Sequence, residues 1–349
     1  MRKSKTKGFL RVTFIMAAIA LAVVSITPGN LRAGVDVSFK LSGNYAYLMD
    51  KAGDIDEARR GMESLLSDMN EVDGYNTTFD WKEPTWSKAL RAELMFRVTR
   101  NFGFSLGSGY IFAKNPGSYS MDTMDAEDYG NVYHYEINDY AEFSQTYSLS
   151  AIPITLDAYF ILPLNKKETF RLFAHVGAGF YFGRLRYNAD VYEKINAVET
   201  IDGGPFYQAV GTYDIVLFEK THSNAFGYQG GFGFDVKLTG PVSLGAELFG
   251  RHVVFKNWNG GRVSRTEYNI ERSYPWTGTE QIQEDFTESA YGDMWTYQVD
   301  NSEYVNPYTA MHVWDEEPEG QFTRKVRKSS LNLNTYGVSV SIKIRFSLF

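Results

Sequence analysis

The sequence predicts an all-β fold, a closed up-and-down antiparallel barrel that crosses a membrane with strands. Three observations lead there. The chain closes on Tyr336-Gly337-Val338-Ser339-Val340-Ser341-Ile342-Lys343-Ile344-Arg345-Phe346-Ser347-Leu348-Phe349, with apolar or aromatic residues at every even position from Tyr336 to Leu348. A period of two puts these on one face of a strand and Lys343 and Arg345 on the other, so one face meets oil and the other a wet interior. At the opposite end, Arg2, Lys3, Lys5, Lys7 and Arg11 precede an apolar run from Val12 to Ile26, then Pro28 and Leu31-Arg32-Ala33. Such a run is shorter than the roughly 20 residues of a spanning helix, and it reads as a secretory signal peptide over residues 1–33. Between the two ends lie seven further segments of the terminal kind, joined alternately by short and long connections.

Residues 34–349 then form one barrel domain, and its strands follow in order. The first has Val35, Val37, Phe39, Leu41, Tyr45 and Tyr47 against Asp36, Ser38, Lys40, Ser42 and Asn44. Leu90 to Val98 gives the second, and after Arg100-Asn101 the third runs from Phe102 to Phe112. The fourth, Tyr147 to Leu162, changes apolar phase at Pro153, which predicts a bulge. Phe170 to Phe182 is the fifth. Phe226 to Leu238 and Val242 to Leu248 are the sixth and seventh, joined by Thr239-Gly240-Pro241, and the terminus is the eighth. Short joints at 100–101, 163–169 and 239–241 mark the periplasmic end, and long ones near 50–87, 113–145, 187–223 and 255–328 face outward. The last of these is too long to be structureless, and its alternating stretches predict strand extensions or two more strands, a ten-stranded alternative.

Composition agrees with this division. Aromatics at 16% with 31 glycines suit strands that are apolar only on alternate residues. The net charge is −7, and the leader holds only bases, so the mature chain is more acidic still. That acidity sits in the long connections and argues against a nucleic-acid partner. With no cysteine, thiolate catalysis and cysteine-ligated metals are excluded.

Ile152-Pro153-Ile154-Thr155-Leu156, Val176-Gly177-Ala178-Gly179-Phe180-Tyr181-Phe182 and the terminal Phe349 give the mature chain its resemblance to small eight-stranded outer-membrane barrels of the OmpX, OmpW and OmpA-transmembrane kind. One departure is that Leu348, not Phe349, shares the apolar phase. The resemblance implies an outer-membrane location in a Gram-negative type of bacterium. It makes Phe346, Leu348 and Phe349 a signal for the barrel-assembly machinery, and lipid and lipopolysaccharide the surrounding partners.

Motifs for chemistry are sparse. Gly177-Ala178-Gly179 and Gly230-Gly231-Phe232-Gly233 open no helix and lack a following Lys-Ser/Thr, so they read as small residues lining a narrow interior. His134, His175, His222, His252 and His312 show no zinc spacing, and no cofactor is expected. His252 with Glu247 is the nearest approach to a catalytic pair, and alternation puts them on opposite faces.

Charges on the inward phase form the constellation with most content. Lys40, Arg91, Glu93, Arg97, Asp157, Arg171, His175, Asp235, Lys237, Glu247, Arg251, Lys343 and Arg345 predict a salt-bridged network that fills the lumen. The alternative is a polar path for small solutes. Arg184, Arg186, Arg324, Lys325, Arg327 and Lys328 are candidates for a rim that holds lipopolysaccharide phosphates. The acidic, aromatic loops, with runs such as Asp315-Glu316-Glu317, are a candidate surface for an extracellular partner or Ca2+.

One helical period, Ile55, Ala58, Met62, Leu65, Leu66 and Met69, predicts a short loop helix capped by Asp54 with Glu57 at its third position, lying over the mouth and outside the core. Two functions fit: a non-enzymatic membrane anchor with surface loops for interaction or envelope integrity, or a narrow OmpW-like channel or transporter.

Overall fold

The computed structural model describes residues 36–129, 133–300 and 307–346. The expected leader and the terminal Leu348 and Phe349 lie outside the described residues. Among these the fold is all-β with one helix: β1 (Asp36–Leu48), α1 (Asp54–Met69), β2 (Tyr75–Trp81), β3 (Trp86–Arg97), β4 (Phe102–Tyr129), β5 (Tyr133–Pro163), β6 (Phe170–Ile201), β7 (Gly204–Lys237), β8 (Val242–Phe255), β9 (Asn259–Tyr274), β10 (Gly278–Val299), β11 (Tyr308–Trp314), β12 (Thr323–Lys328), β13 (Leu331–Asn332) and β14 (Thr335–Phe346).

The antiparallel sheet closes on itself. β1 pairs β3 on one side and β14 on the other, and the path β3, β4, β5, β6, β7, β8, β14 returns to β1. Every strand of this circuit has both edges paired along its lower half, which removes the open edge that a free sheet would expose. β9 and β10 stand outside it. β9 pairs β7 over Gln208–His222, above the stretch Gly227–Lys237 where β7 meets β8.

Along their described residues, two of the expected outer loops are paired strand up to their tips. β4 and β5 stay in register from Phe102↔Phe160 to Tyr129↔Tyr133, and β6 and β7 from Phe170↔Val236 to Ile201↔Gly204 with one shift near the tip. At about 3.3 Å per residue the 34-residue β7 is roughly 110 Å long, several times what a hydrocarbon layer requires. Alternation does not stop at the membrane-sized segment, and neither does the strand.

The phase change at Pro153 is not a bulge. Pairing of β5 with both neighbours keeps one register through it. Tyr147, Leu149 and Ala151 are apolar because they point into a buried apolar cluster, whereas Ile152 and Ile154 point outward. Both faces are oily at that level, so the apolar residues change parity while the backbone does not.

The interior is layered. Nearest the short turns Met95, Tyr159, Ile161 and Phe173 pack together. Charged side chains come next. A larger apolar cluster then closes the far end of the circuit, with Leu48, Tyr181, Leu185, Val253, Phe255 and Trp258 at its centre. Helix α1 belongs to this layer, since Ile55 and Ala58 are buried in the same cluster, contrary to the expectation that it stays outside the core.

Asp54 does not cap the helix. Gly53, at φ 68°, occupies the N-cap and supplies no side chain, and the Asp54 carboxylate instead accepts hydrogen bonds from Thr296, Ser330 and Arg327. It ties α1 to β10 and to the segment around β12, a long-range use that local capping patterns do not encode.

Candidate functional site

Ten of the thirteen charges expected inside are buried: Lys40, Arg91, Glu93, Asp157, Arg171, His175, Asp235, Glu247, Arg251 and Lys343. Alternation aims them inward, and glycine on the facing strands gives them room. A Cβ on Gly231 would stand 2.8 Å from a Glu247 oxygen and 2.9 Å from His175 Nε2.

Six of these groups form a closed cycle of alternating sign. Lys40 Nζ lies 3.2 Å from Glu93 and 3.0 Å from Glu247, Arg91 3.1 Å from Glu93 and 2.6 Å from Asp157, and His175 3.2 Å from Asp157 and 2.7 Å from Glu247. Both nitrogens of His175 face carboxylate oxygens, and only the imidazolium donates from both. With His175 protonated, three cations meet three anions and the cycle is neutral. Further donors complete it: Tyr159 and Ser105 to Glu93 at 3.0 and 3.1 Å, and Gln229 to Asp157 at 2.9 Å. Lys343 pairs separately with Asp235, and Arg251 is buried without a carboxylate among the described residues.

Three expected members lie elsewhere. Lys237 is exposed at the short-turn end of β7. Arg97 and Arg345 sit at the same end, only partly buried, where they share Asp36, at 4.0 and 3.8 Å. Arg97 also holds Glu168, at 2.7 Å, in the turn between β5 and β6, and Arg171 approaches the same carboxylate at 3.5 Å. The Arg97 hydrogen bond, opposed by burial, keeps the Glu168 carboxyl below the usual carboxylate range. This clamp escaped the sequence reading because Glu168 lies in a turn and has no strand phase.

The six basic residues read as a rim do not form one surface. Arg184 and Arg186 are exposed on β6 without an acidic partner among the described residues, and Arg186 faces Lys220 directly across the β6–β7 ladder. Lys114, in register with Ser148 and so two strands from Arg186, lies exposed on β4. Of the other group, Arg324 pairs with Asp300 at 2.8 Å, Arg327 with Asp54 and Glu57 at 2.7 Å each, and Lys328 with Asp293 at 2.6 Å. Lys325 has no acidic partner among the described residues. The run holds β12 and α1 against β10, whereas the exposed row Lys114, Arg186, Lys220 has no acidic partner among the described residues.

Above the apolar layer a cavity of about 280 Å³ lies between α1, β11 and the upper parts of β4 to β7. Its floor and wall are aromatic. Trp81 stacks on Tyr147 at 5.7 Å, Tyr147 on Tyr187 at 4.4 Å, and Tyr119 on Phe143 at 4.4 Å. Burial raises the Tyr119, Tyr297 and Tyr308 hydroxyls above their ordinary range, so they are neutral donors.

Two polar side chains border this space. Gln145 is buried, its Oε1 accepting from the Tyr187 hydroxyl at 3.0 Å while its Nε2 has no acceptor. His312 stands with Nδ1 3.0 Å from an oxygen of Glu219, a fully buried carboxylate that also accepts from the Val313 amide at 3.2 Å. This carboxylate–imidazole pair joins residues 93 apart. Alternation puts Glu219 on the inner face of β7, and that phase was the available signal; no pattern indicated that β11 would fold back onto it. His252, by contrast, faces outward with Glu247 inward.

Among the described residues no cluster of histidine and carboxylates is arranged to hold a metal ion, and no helix is long and apolar enough to cross a membrane, which says nothing of strands. No family model matches the chain, and no curated protein matches it significantly.

Proposed function

We propose that the chain is an integral outer-membrane β-barrel, built on the closed strand circuit, that acts without catalysis as an anchor for a tall, acidic and aromatic surface structure. One observation carries this reading. Around the circuit the outward side chains are apolar and exposed, among them Phe39, Leu94, Val176, Phe232, Leu248 and Val340, while the inward ones hold the charge cycle. Water penalises so wide an exposed apolar band, and hydrocarbon requires it.

In this reading the end carrying the 239–241 turn and Asp36 faces the periplasm, and the long hairpins project from the cell. The charge cycle and the apolar layer above it block the lumen, as fits a narrow barrel whose interior has room only for packed side chains. The exposed row Lys114, Arg186 and Lys220, with Arg184 beside it, lies just beyond the apolar girdle at Phe112 and Phe182. Like charges set opposite each other on a sheet are unfavourable alone. A lipopolysaccharide phosphate between them turns that cost into charge-assisted hydrogen bonds.

Cysteine labelling on intact cells tests the reading. Single cysteines at Asp125 and Glu316 are expected to react with an impermeant maleimide, and one at Thr239 to stay silent until the outer membrane is opened. Labelling at Thr239 alone reverses the orientation, and recovery of the protein in a soluble fraction overturns the barrel.

A further inference from the structure

We propose that the cavity above the apolar layer is a binding site for a small planar phenol that carries a hydrogen-bond acceptor away from its hydroxyl. This cavity is formed by the packing of α1 and β11 against β4 to β7 and is independent of the membrane reading.

Size comes first. About 280 Å³ is enough for one substituted aromatic ring, given that a dry cavity of roughly 150 Å³ takes up benzene. The lining decides the shape. The stacked Trp81, Tyr147 and Tyr187 present nearly parallel ring planes, 8° and 24° apart, so a flat guest extends an existing stack. Burial is complete at Met311 and Trp81 and falls to partial at Phe143, Val191 and Ile215. The space therefore opens away from the closed circuit, and a ligand enters without crossing the charge cycle.

Two polar atoms then set the chemistry. The Tyr187 hydroxyl fixes the orientation of the Gln145 amide by donating to Oε1, and it leaves the buried Nε2 as a donor with no acceptor. A buried unsatisfied donor is costly unless something fills its place. At His312, Glu219 holds the Nδ1 proton, and in the neutral ring this leaves Nε2 as an acceptor. No protein group of the described residues meets that nitrogen. A guest with a hydroxyl for His312 and a carbonyl for Gln145 satisfies both, and its ring fills the aromatic space between.

The test uses the full mature chain, refolded in detergent, with 4-hydroxyacetophenone as probe. Acetophenone, which lacks the hydroxyl, and toluene, which lacks both polar groups, are the comparisons. Binding is followed by calorimetry against a protein-free micelle blank. The expected order is 4-hydroxyacetophenone tightest, acetophenone about tenfold weaker and toluene weaker again. Gln145→Leu is expected to weaken both ketones about tenfold and leave toluene unchanged. His312→Phe is expected to weaken only the phenol, and His312→Gln, which restores an acceptor, to recover part of that loss. Ala189→Trp, which fills the cavity from β6, is expected to abolish binding of all three. Variants are compared only where far-ultraviolet circular dichroism matches the parent. Equal affinity for the three probes, no uptake at millimolar concentration, or binding unaltered by Ala189→Trp overturns the proposal.

Discussion

His175 Nε2 lies 2.7 Å from Glu247, and its Nδ1 3.2 Å from Asp157, so one imidazole bridges two carboxylates on different strands. That bridge closes the charge cycle, and its removal leaves two buried anions short of a cation. His175→Phe is expected to destabilise the protein by about 3 to 5 kcal/mol, the usual consequence of orphaning a buried charge. The denaturant midpoint of the refolded chain measures this. A double variant that also carries Glu247→Gln is expected to regain a substantial part of the loss, because the excess negative charge is gone. A double variant no better than the single one would show that the two residues are not coupled.

Glu93 receives Lys40, Arg91, Tyr159 and Ser105 at once. Glu93→Gln keeps the shape and removes the charge, and it is expected to cost on the order of 3 kcal/mol. If the lumen is blocked as proposed, the parent in a planar bilayer shows no regular conductance steps. Uniform open steps from the parent protein would favour the channel reading.

Glu168 supplies a pH-dependent clamp at the short-turn end. Its pKa is lowered by Arg97, so its contribution to stability is present above the unfolded-state value and is lost as pH falls through the folded one. Arg97→Gln is therefore expected to lower the thermal midpoint at pH 7 and to make progressively less difference toward strongly acidic pH. Midpoints measured across that range decide it. A penalty that persists unchanged in acid would assign Arg97 a packing role instead.

Asp139 and Glu193, on the upper sheet, respond in the opposite sense. Desolvation raises both carboxyls above their usual range, so their folded forms favour the proton, and the stability this adds is lost as pH rises. Hydrogen exchange in the upper halves of β5 and β6 is expected to be slower at mildly acidic pH than at pH 7, after correction for intrinsic rates. Faster corrected exchange in acid would contradict this.

Arg186 and Lys220 provide the test of lipid contact. Replacing Lys114, Arg186 and Lys220 together by Gln is expected to reduce co-purified lipopolysaccharide at low salt, with a smaller difference at high salt where the charges are already screened. The quadruple variant of Arg324, Lys325, Arg327 and Lys328 is expected instead to loosen α1 and β12, because Arg327 and Lys328 bind Asp54 and Asp293. Equal lipid retention in the first triple variant would reduce that row to a solvated strand face.

The alternation of residues by itself determined where most ring strands run and which side chains they aim inward. Lys40, Arg91, Glu93, Asp157, His175 and Glu247 were legible because phase is a property of one strand, and burying a charge demands a partner somewhere. Which partner it takes depends on the stagger of strands far apart in sequence, such as Lys40 against Glu247, and only the closed sheet decided that. Phase has no hold on turns or on helix ends, so nothing in it marks Glu168, and the local capping pattern at Asp54 does not encode its long-range bonds to Thr296, Arg327 and Ser330. The long hairpins, the return of β11 onto Glu219 and the cavity beneath Phe143 came from tertiary packing alone. There apolar and aromatic residues serve a core above the proposed membrane level, and a repeating pattern cannot say where one oily environment ends and another begins.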